Sequence, residues 1–238
     1  MRIIQLKETD STNRWLQENG GEEDVAVVTD YQLAGRGQKG NVWESEAEKN
    51  LLFSILVHPQ HVPAHRQFVL SELIALAVSG VLGRYTDGIC VKWPNDIYWN
   101  DRKICGILIE NHLQGSDIRD SIIGVGVNVN QEVFHSDAPN PISLKSVTER
   151  EYDLQVLLDE IMTSFERYYR QVEQGEYVQL HEAYCQVLYR REGFYPYRDA
   201  SGPFDAEISR IEEDGHLVLT DADGRNRRYA FKEVEFMI

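Results

Sequence analysis

AGRGQKGNVW, residues 34–43, carries the spacing G-x-G-x-x-G at Gly35, Gly37 and Gly40. In a dinucleotide-binding fold that spacing joins a strand to a helix, whose N-terminal amides hold a pyrophosphate. Here Gly40 is followed by NVWESEAEKN and then by the apolar run LLFSILV, 51–57, so no helix opens and the Rossmann reading loses its helical half. A bare glycine-rich hairpin tip would explain the glycines but leaves Arg36, Lys39 and Trp43 as decoration, and the loop is longer than a hairpin requires. Flexible backbone, two cations and an aromatic suit a lid over a planar, anionic ligand.

Working outward, MRIIQLKETD reads as a strand that leads into DSTNRWLQENGG, where Asp10 or Ser11 can cap a short helix stopped by Gly20 and Gly21. VAVVTDYQ and NLLFSILVHP are strands on either side of the loop. PAHRQFVLSELIALAVSGVLGRY opens with Pro63 and has the broad apolar stripe of a buried helix. A run of strands without intervening helices follows: ICVKW, then DIYWNDRKICGILIENHLQG with a turn at Asn100-Asp101, then SIIGVGVNVN. Two helical patterns come next, in YDLQVLLDEIMTSFERYYRQVEQG and YVQLHEAYCQVLYRR. Beyond Arg191 the texture changes to short alternating strands with Asp214-Gly215 and Asp223-Gly224 turns. This order lacks βαβαβ alternation and predicts an α+β fold: helices packed on a mixed, largely antiparallel sheet over residues 1–190, then a small β-barrel over 191–238.

With 238 residues and 42% apolar side chains the chain can bury a real core. A formal charge of −15 and no long Lys/Arg run give nucleic-acid binding no electrostatic support. Cys90, Cys105 and Cys185 are far apart and follow no disulfide or metal spacing, which suits reduced thiols in the cytoplasm. The N-terminus lacks the apolar core of a signal peptide, and no run approaches the roughly 18 apolar residues of a membrane span. His58, His61 and His65 lie close together, but Pro59 and Pro63 break any helix that would align them, so a solvated loop is the better reading than a zinc site.

The second chemical constellation is VKWPNDIYWNDRKICGILIE, 91–110. Pro94 should stop the strand and turn Asn95 and Asp96 outward as a polar tip, while Lys103 begins the returning strand. The hairpin would then present Lys92, Asn95, Asp96, Arg102 and Lys103 near its ends.

Taken in order and spacing, DSTNRWL, QLAGRGQKGNVW, VKWPNDIYWNDRKICGILIE and GVGVNVN resemble the biotin protein ligases over about residues 9 to 130. KWPND with DRKICGILIE is the most specific part. The resemblance implies an SH3-like module at the C-terminus and makes the glycine loop a cover for biotinyl-adenylate. It implies activation of biotin by ATP, with Mg²⁺, to biotinyl-5'-AMP and pyrophosphate, then transfer to one lysine of a biotin carboxyl carrier domain. Lys103 would touch the biotin carboxylate and the bridging phosphate, and it is with Arg36 the catalytic expectation. Ser11, Thr12, Asn13 and Gln32 would line the biotin end, with Arg36, Gly37 and Gln38 of the loop beside the reactive centre. Lys39, Gly40, Trp43, Lys92, Asn95 and Asn128 would serve ATP, Trp43 beside adenine, and Asp96 would assist Mg²⁺ or hold Lys92. Asn128 could equally cap a strand end.

The chain departs from the family pattern at Gln38 and Asn41, where arginines are usual, which bears on how firmly an adenylate is held. Nine residues before DSTN leave no room for the winged helix of family members that repress transcription, so a repressor is not expected. A homodimer is a family expectation. The rivals are a lipoate or octanoate ligase on the related fold and a biotin-binding sensor without turnover.

Overall fold

The two apolar runs that flank the glycine loop lie side by side in the computed structural model, which describes residues 1–38, 41–60, 62–136 and 139–238. β2 (Val25–Gln32) pairs antiparallel with β3 (Leu51–Val57), and β1 (Arg2–Thr9) pairs parallel with β2 through the short helix α1 (Thr12–Asn19). On the other side of β3 come β7 (Asp117–Val127), β6 (Arg102–Gln114), β5 (Asp96–Trp99) and β4 (Ile89–Lys92), all antiparallel. The central sheet is therefore β1-β2-β3-β7-β6-β5-β4, with one parallel pair, which is the mixed, largely antiparallel α+β arrangement the element order predicts.

The two faces of this sheet have different fates because side chains alternate along a strand. Ala26, Phe53, Ile55, Ile107, Ile123 and Val125 join one core with the helices α2 (Phe68–Leu82), α3 (Leu144–Thr148), α4 (Leu154–Glu173) and α5 (Tyr177–Gln186). Val25, Val27, Leu56 and Ile122 face the other way and pack against Leu16 of α1. Ala64–Leu82, a 3-10 turn plus α2, is apolar enough to cross a membrane by length and composition, yet it is mostly buried against α4, α5 and the sheet. Of the three histidines near it, His58 bonds Asp24, His61 lies outside the described residues, and no group of three or more metal-ligating side chains occurs among those described.

After α5 the backbone pairs with the outer edge of β4, through Val91 N–H to Val187 O at 2.8 Å and Tyr189 N–H to Val91 O at 2.9 Å. It then forms a second, five-stranded antiparallel sheet in the order β11-β10-β9-β8-β12: β8 (Tyr195–Asp199), β9 (Gly202–Ile211), β10 (Leu217–Asp221), β11 (Asn226–Tyr229) and β12 (Glu235–Phe236). Gly215 and Gly224 turn its hairpins at φ of +89° and +78°. Gly215 also lies against Phe68, and its carbonyl accepts from Trp93 Nε1 at 2.9 Å, tying the second sheet to the first.

One buried charge sits between helices. Glu72 of α2 is almost fully enclosed and accepts from His181 Nδ1 of α5 at 2.6 Å, while His181 Nε2 lies 3.6 Å from Cys185 Sγ. The Cys185 sulfur and the Glu72 carboxylate push His181 up to about 10, although burial holds the Glu72 carboxyl above its usual range. A histidine raised on folding contributes stability fully below its unfolded value near 6.5, and that contribution is lost as pH rises through about 10. Discounted for its partly exposed setting, the pair contributes about 1–2 kcal/mol, so melting should fall by roughly 3–6 °C across pH 6.5 to 10 beyond what other groups cause. Glu72→Gln should flatten that slope; equal slopes in both proteins would remove the pair from the account.

Candidate active site

On the sheet face not covered by α2, strands β6 and β7 carry glycine where neighbours carry side chains: Gly106 faces Gly126 across the ladder, and Gly124 lies one step away. The missing side chains leave the floor of a cavity of about 920 Å³. Each glycine is required by a close approach: an added Cβ would stand 2.1 Å from Asn13 Oδ1 at Gly124, and 2.5–2.6 Å from the Trp43 indole at Gly126 and Gly106.

One end of the cavity is a closed polar network. Gln32 Oε1, at the end of β2, accepts from the Thr12 amide at 2.8 Å and hydroxyl at 3.2 Å. Ser54 Oγ lies 2.6 Å from both Thr12 Oγ1 and Asn13 Oδ1. Asn13 Nδ2 then donates to Glu110 Oε2 at 2.8 Å. Ser11 is the N-cap of α1 by backbone geometry but makes no side-chain capping bond, which leaves its hydroxyl to the cavity. Such a fixed array of amide and hydroxyl groups orients a neutral polar ring by hydrogen bonding.

The glycine loop forms the next wall. It is a tight hairpin, with Arg36 bridged to Val42, Gly37 N–H to Asn41 O at 2.7 Å and Trp43 N–H to Gly35 O at 2.9 Å. The described residues of this loop thus combine hairpin pairing with a place in the cavity wall. Arg36 reaches Glu110 Oε1 at 3.2 Å, and Gln38 Nε2 reaches the Ile107 carbonyl at 3.4 Å, so the strand that leads into the turn lies against β6. Trp43 rests on the glycine floor with Lys103 Nζ 5.9 Å from its ring. Lys39 and Gly40 lie outside the described residues.

The opposite wall is charged. Lys103, early in β6, donates to Asp96 Oδ2 at 2.7 Å, and Asp96 stands opposite Lys92 in the β4–β5 ladder. Lys92 is packed between Tyr98 and Phe236, 5.1 and 5.2 Å from their rings, and this burial lowers its basicity despite Asp96 nearby. Asn95 corrects the sequence reading: it is buried, not turned outward, because its Nδ2 reaches Ser71 Oγ of α2 at 3.5 Å. Its Oδ1 and that of Asn128 are buried without a hydrogen-bond partner, and both residues line the cavity. Asn128 Nδ2 donates to the Ile142 carbonyl at 3.1 Å, so its strand-ending role and its place in the cavity coexist. Arg102 points elsewhere, to the Pro141 carbonyl at 2.7 Å. The β11–β12 connection and β12 close this end with Phe231, Lys232, Val234, Glu235 and Phe236.

Every described site residue that the family resemblance implies lines this cavity, from Ser11, Thr12, Asn13 and Gln32 through Arg36, Gly37, Gln38 and Trp43 to Lys92, Asn95, Asp96, Lys103 and Asn128, whereas Arg102 of the hairpin does not. Ser54, Glu110 and the three floor glycines were missed. Ser54 had a signal, as the one polar residue in LLFSILV, and so had the alternation of glycines in GVGV. Glu110 had none, since a carboxylate on a partly exposed stretch of strand is ordinary.

A model of the biotin/lipoate A/B protein ligase family matches residues 3–128. The bifunctional ligase/repressor BirA of Bacillus spizizenii is 30% identical over 237 residues, covering 94% of this chain and 70% of that protein. The biotin–[acetyl-CoA-carboxylase] ligase of Paracoccus denitrificans is 27% identical over 229 residues, 92% of this chain and 95% of that one. Among solved structures, the biotin protein ligase from Aquifex aeolicus in complex with biotin and ATP aligns with a TM-score of 0.82 at 24% identity, covering 99% of this chain and 98% of that one.

Proposed function

The chain belongs to the biotin/lipoate A/B protein ligase family, and from that premise we propose that it is an ATP-dependent biotin protein ligase. It joins the biotin carboxylate to the α-phosphate of ATP with release of pyrophosphate, then passes the biotinyl group to a lysine of a biotin carboxyl carrier domain. The observation that carries this reading is the polarity of one cavity: a neutral hydrogen-bonding network at Thr12, Asn13, Gln32 and Ser54, and the row Lys92, Asp96, Lys103 at the other end.

The first step brings a carboxylate against a triphosphate, so its barrier is largely electrostatic and falls when fixed cations face the charge that develops. Lys103, held by Asp96, and the more deeply buried Lys92 supply such charge without reorganisation. ATP is taken as its Mg²⁺ complex. Asp96 suits that ion, because Mg²⁺ is usually bound by one or two carboxylates together with substrate phosphates rather than by a protein cage. The buried, unpaired Oδ1 atoms of Asn95 and Asn128 are acceptors available to nucleotide donors. Trp43, an aromatic surface within the cavity, is the candidate neighbour of adenine. The mixed anhydride is sensitive to water, and the loop of Arg36, Gly37 and Gln38 is the cover this reading assigns to it.

The same reading takes residues 191–238 as an SH3-like module that closes the nucleotide end, and takes the enzyme as a homodimer. Three free cysteines and a reaction that consumes ATP suit a cytoplasmic setting. The test is pyrophosphate exchange into ATP, run with biotin, lipoate and octanoate in parallel. Exchange with biotin alone is expected; exchange with lipoate or octanoate would move the chain to the other branch of the family, and biotin binding without exchange would make it a sensor.

Gln38 offers only a neutral amide where an arginine would make a charge-assisted bond to the adenylate phosphate. Gln38→Arg should slow release of pre-formed biotinyl-adenylate by about tenfold, the lower end of what such a bond contributes on an accessible loop. If release is unchanged in Gln38→Arg but faster in Lys39→Ala, the charge already comes from Lys39; no change in either would end the view of the loop as an electrostatic lid.

A further inference from the structure

Glu110 binds two side chains of the site at once. Its Oε2 accepts from Asn13 Nδ2 at 2.8 Å and its Oε1 from Arg36 Nη2 at 3.2 Å. The Asn13 side is fixed: Oδ1 of that residue accepts from Ser54 Oγ at 2.6 Å, Nδ2 also reaches the Leu108 carbonyl at 3.4 Å, and Gly124 leaves it no spare space. The Arg36 side is the more accessible, its side chain being 46% exposed against 24% for Glu110. Arg36 also lines the cavity, whereas Glu110 stands behind it. A guanidinium facing a cavity built for anions is thus held by an internal carboxylate, at a distance weaker than an ideal charged hydrogen bond.

We propose that Glu110 is a positioning residue that parks the Arg36 guanidinium until an anionic ligand takes the arginine over. The inference rests on the proposed function for the nature of that anion, the carboxylate of biotin or the phosphate of its adenylate. Because Glu110 and the ligand compete for one guanidinium, Glu110 lowers affinity for anionic ligands and leaves neutral ones untouched. A half-exposed ion pair of this kind shifts binding by about two- to fivefold.

The experiment is calorimetric titration, without ATP, of biotin and of its neutral methyl ester into the wild-type chain, Glu110→Gln, Arg36→Ala and the double variant. Glu110→Gln should tighten biotin about two- to fivefold, leave the ester unchanged, and lose its effect in the Arg36→Ala background. Glu110→Asp, whose carboxylate falls one methylene short of Arg36, should tighten biotin in the same direction and serves if Glu110→Gln fails to fold. Equal weakening of biotin and ester would mean that Glu110 only supports Asn13 and would overturn the proposal. So would unchanged affinity for biotin, or a gain that survives without Arg36. Failure of the wild-type chain to bind biotin at all would overturn the proposed function instead.

Discussion

Lys103→Ala is expected to lower biotin-dependent pyrophosphate exchange on the order of a thousandfold while the chain stays folded. The size follows from the role the proposed function gives the residue, a fixed donor facing developing negative charge in a partly enclosed site, where one such group accounts for about 10²–10³ in rate. The fold should survive because the Lys103 side chain is 30% exposed, and its backbone pairs, to Asn140 O at 3.0 Å and from Ile142 N–H at 2.9 Å, do not depend on the side chain. Asp96 loses its partner but is itself 28% exposed and can be hydrated. Lys103→Arg, which keeps charge but not shape, should fall between the two. Near-normal exchange in a folded Lys103→Ala protein would take the residue out of the mechanism.

Gly124→Ala should weaken biotin binding about a hundredfold. The new methyl would stand 2.1 Å from Asn13 Oδ1 and 2.9 Å from its carbonyl carbon, and Asn13 cannot step aside without breaking its bonds to Ser54 and Glu110. Overpacking of this kind costs roughly 1–3 kcal/mol, and here the strain falls on the group that orients the ligand. Gly80→Ala is the control: it lies within α2 with nothing within 4 Å of the added atom, and should leave both binding and stability intact or slightly improved. Calorimetry and melting curves on both variants separate the outcomes, and unimpaired biotin binding by Gly124→Ala would show that Asn13 does not orient the ligand.

The sequence by itself determined whatever is encoded within about one element's length. The periodicity of VAVVTDYQ and LLFSILV, the turns at Asn100-Asp101, Gly215 and Gly224, and the absence of a helix after Gly40 rest on local sterics and side-chain alternation. The order of those elements then excluded a doubly wound fold, and the KWPND and GRG motifs marked two walls of the site. Tertiary structure alone decided which residues meet. Glu110 lies 97 residues from Asn13 and 74 from Arg36, and Ser54 lies 41 from Asn13. Asn95 turned inward because α2 brings Ser71 beside it, which no feature of KWPND foretells. The physical reason is register: a strand residue fixes only its own parity, and a slip of one residue sends every side chain to the other face. Gly106 faces Gly126, and both lie under Trp43, because pairing of β6 with β7 and the fold of the loop place them there.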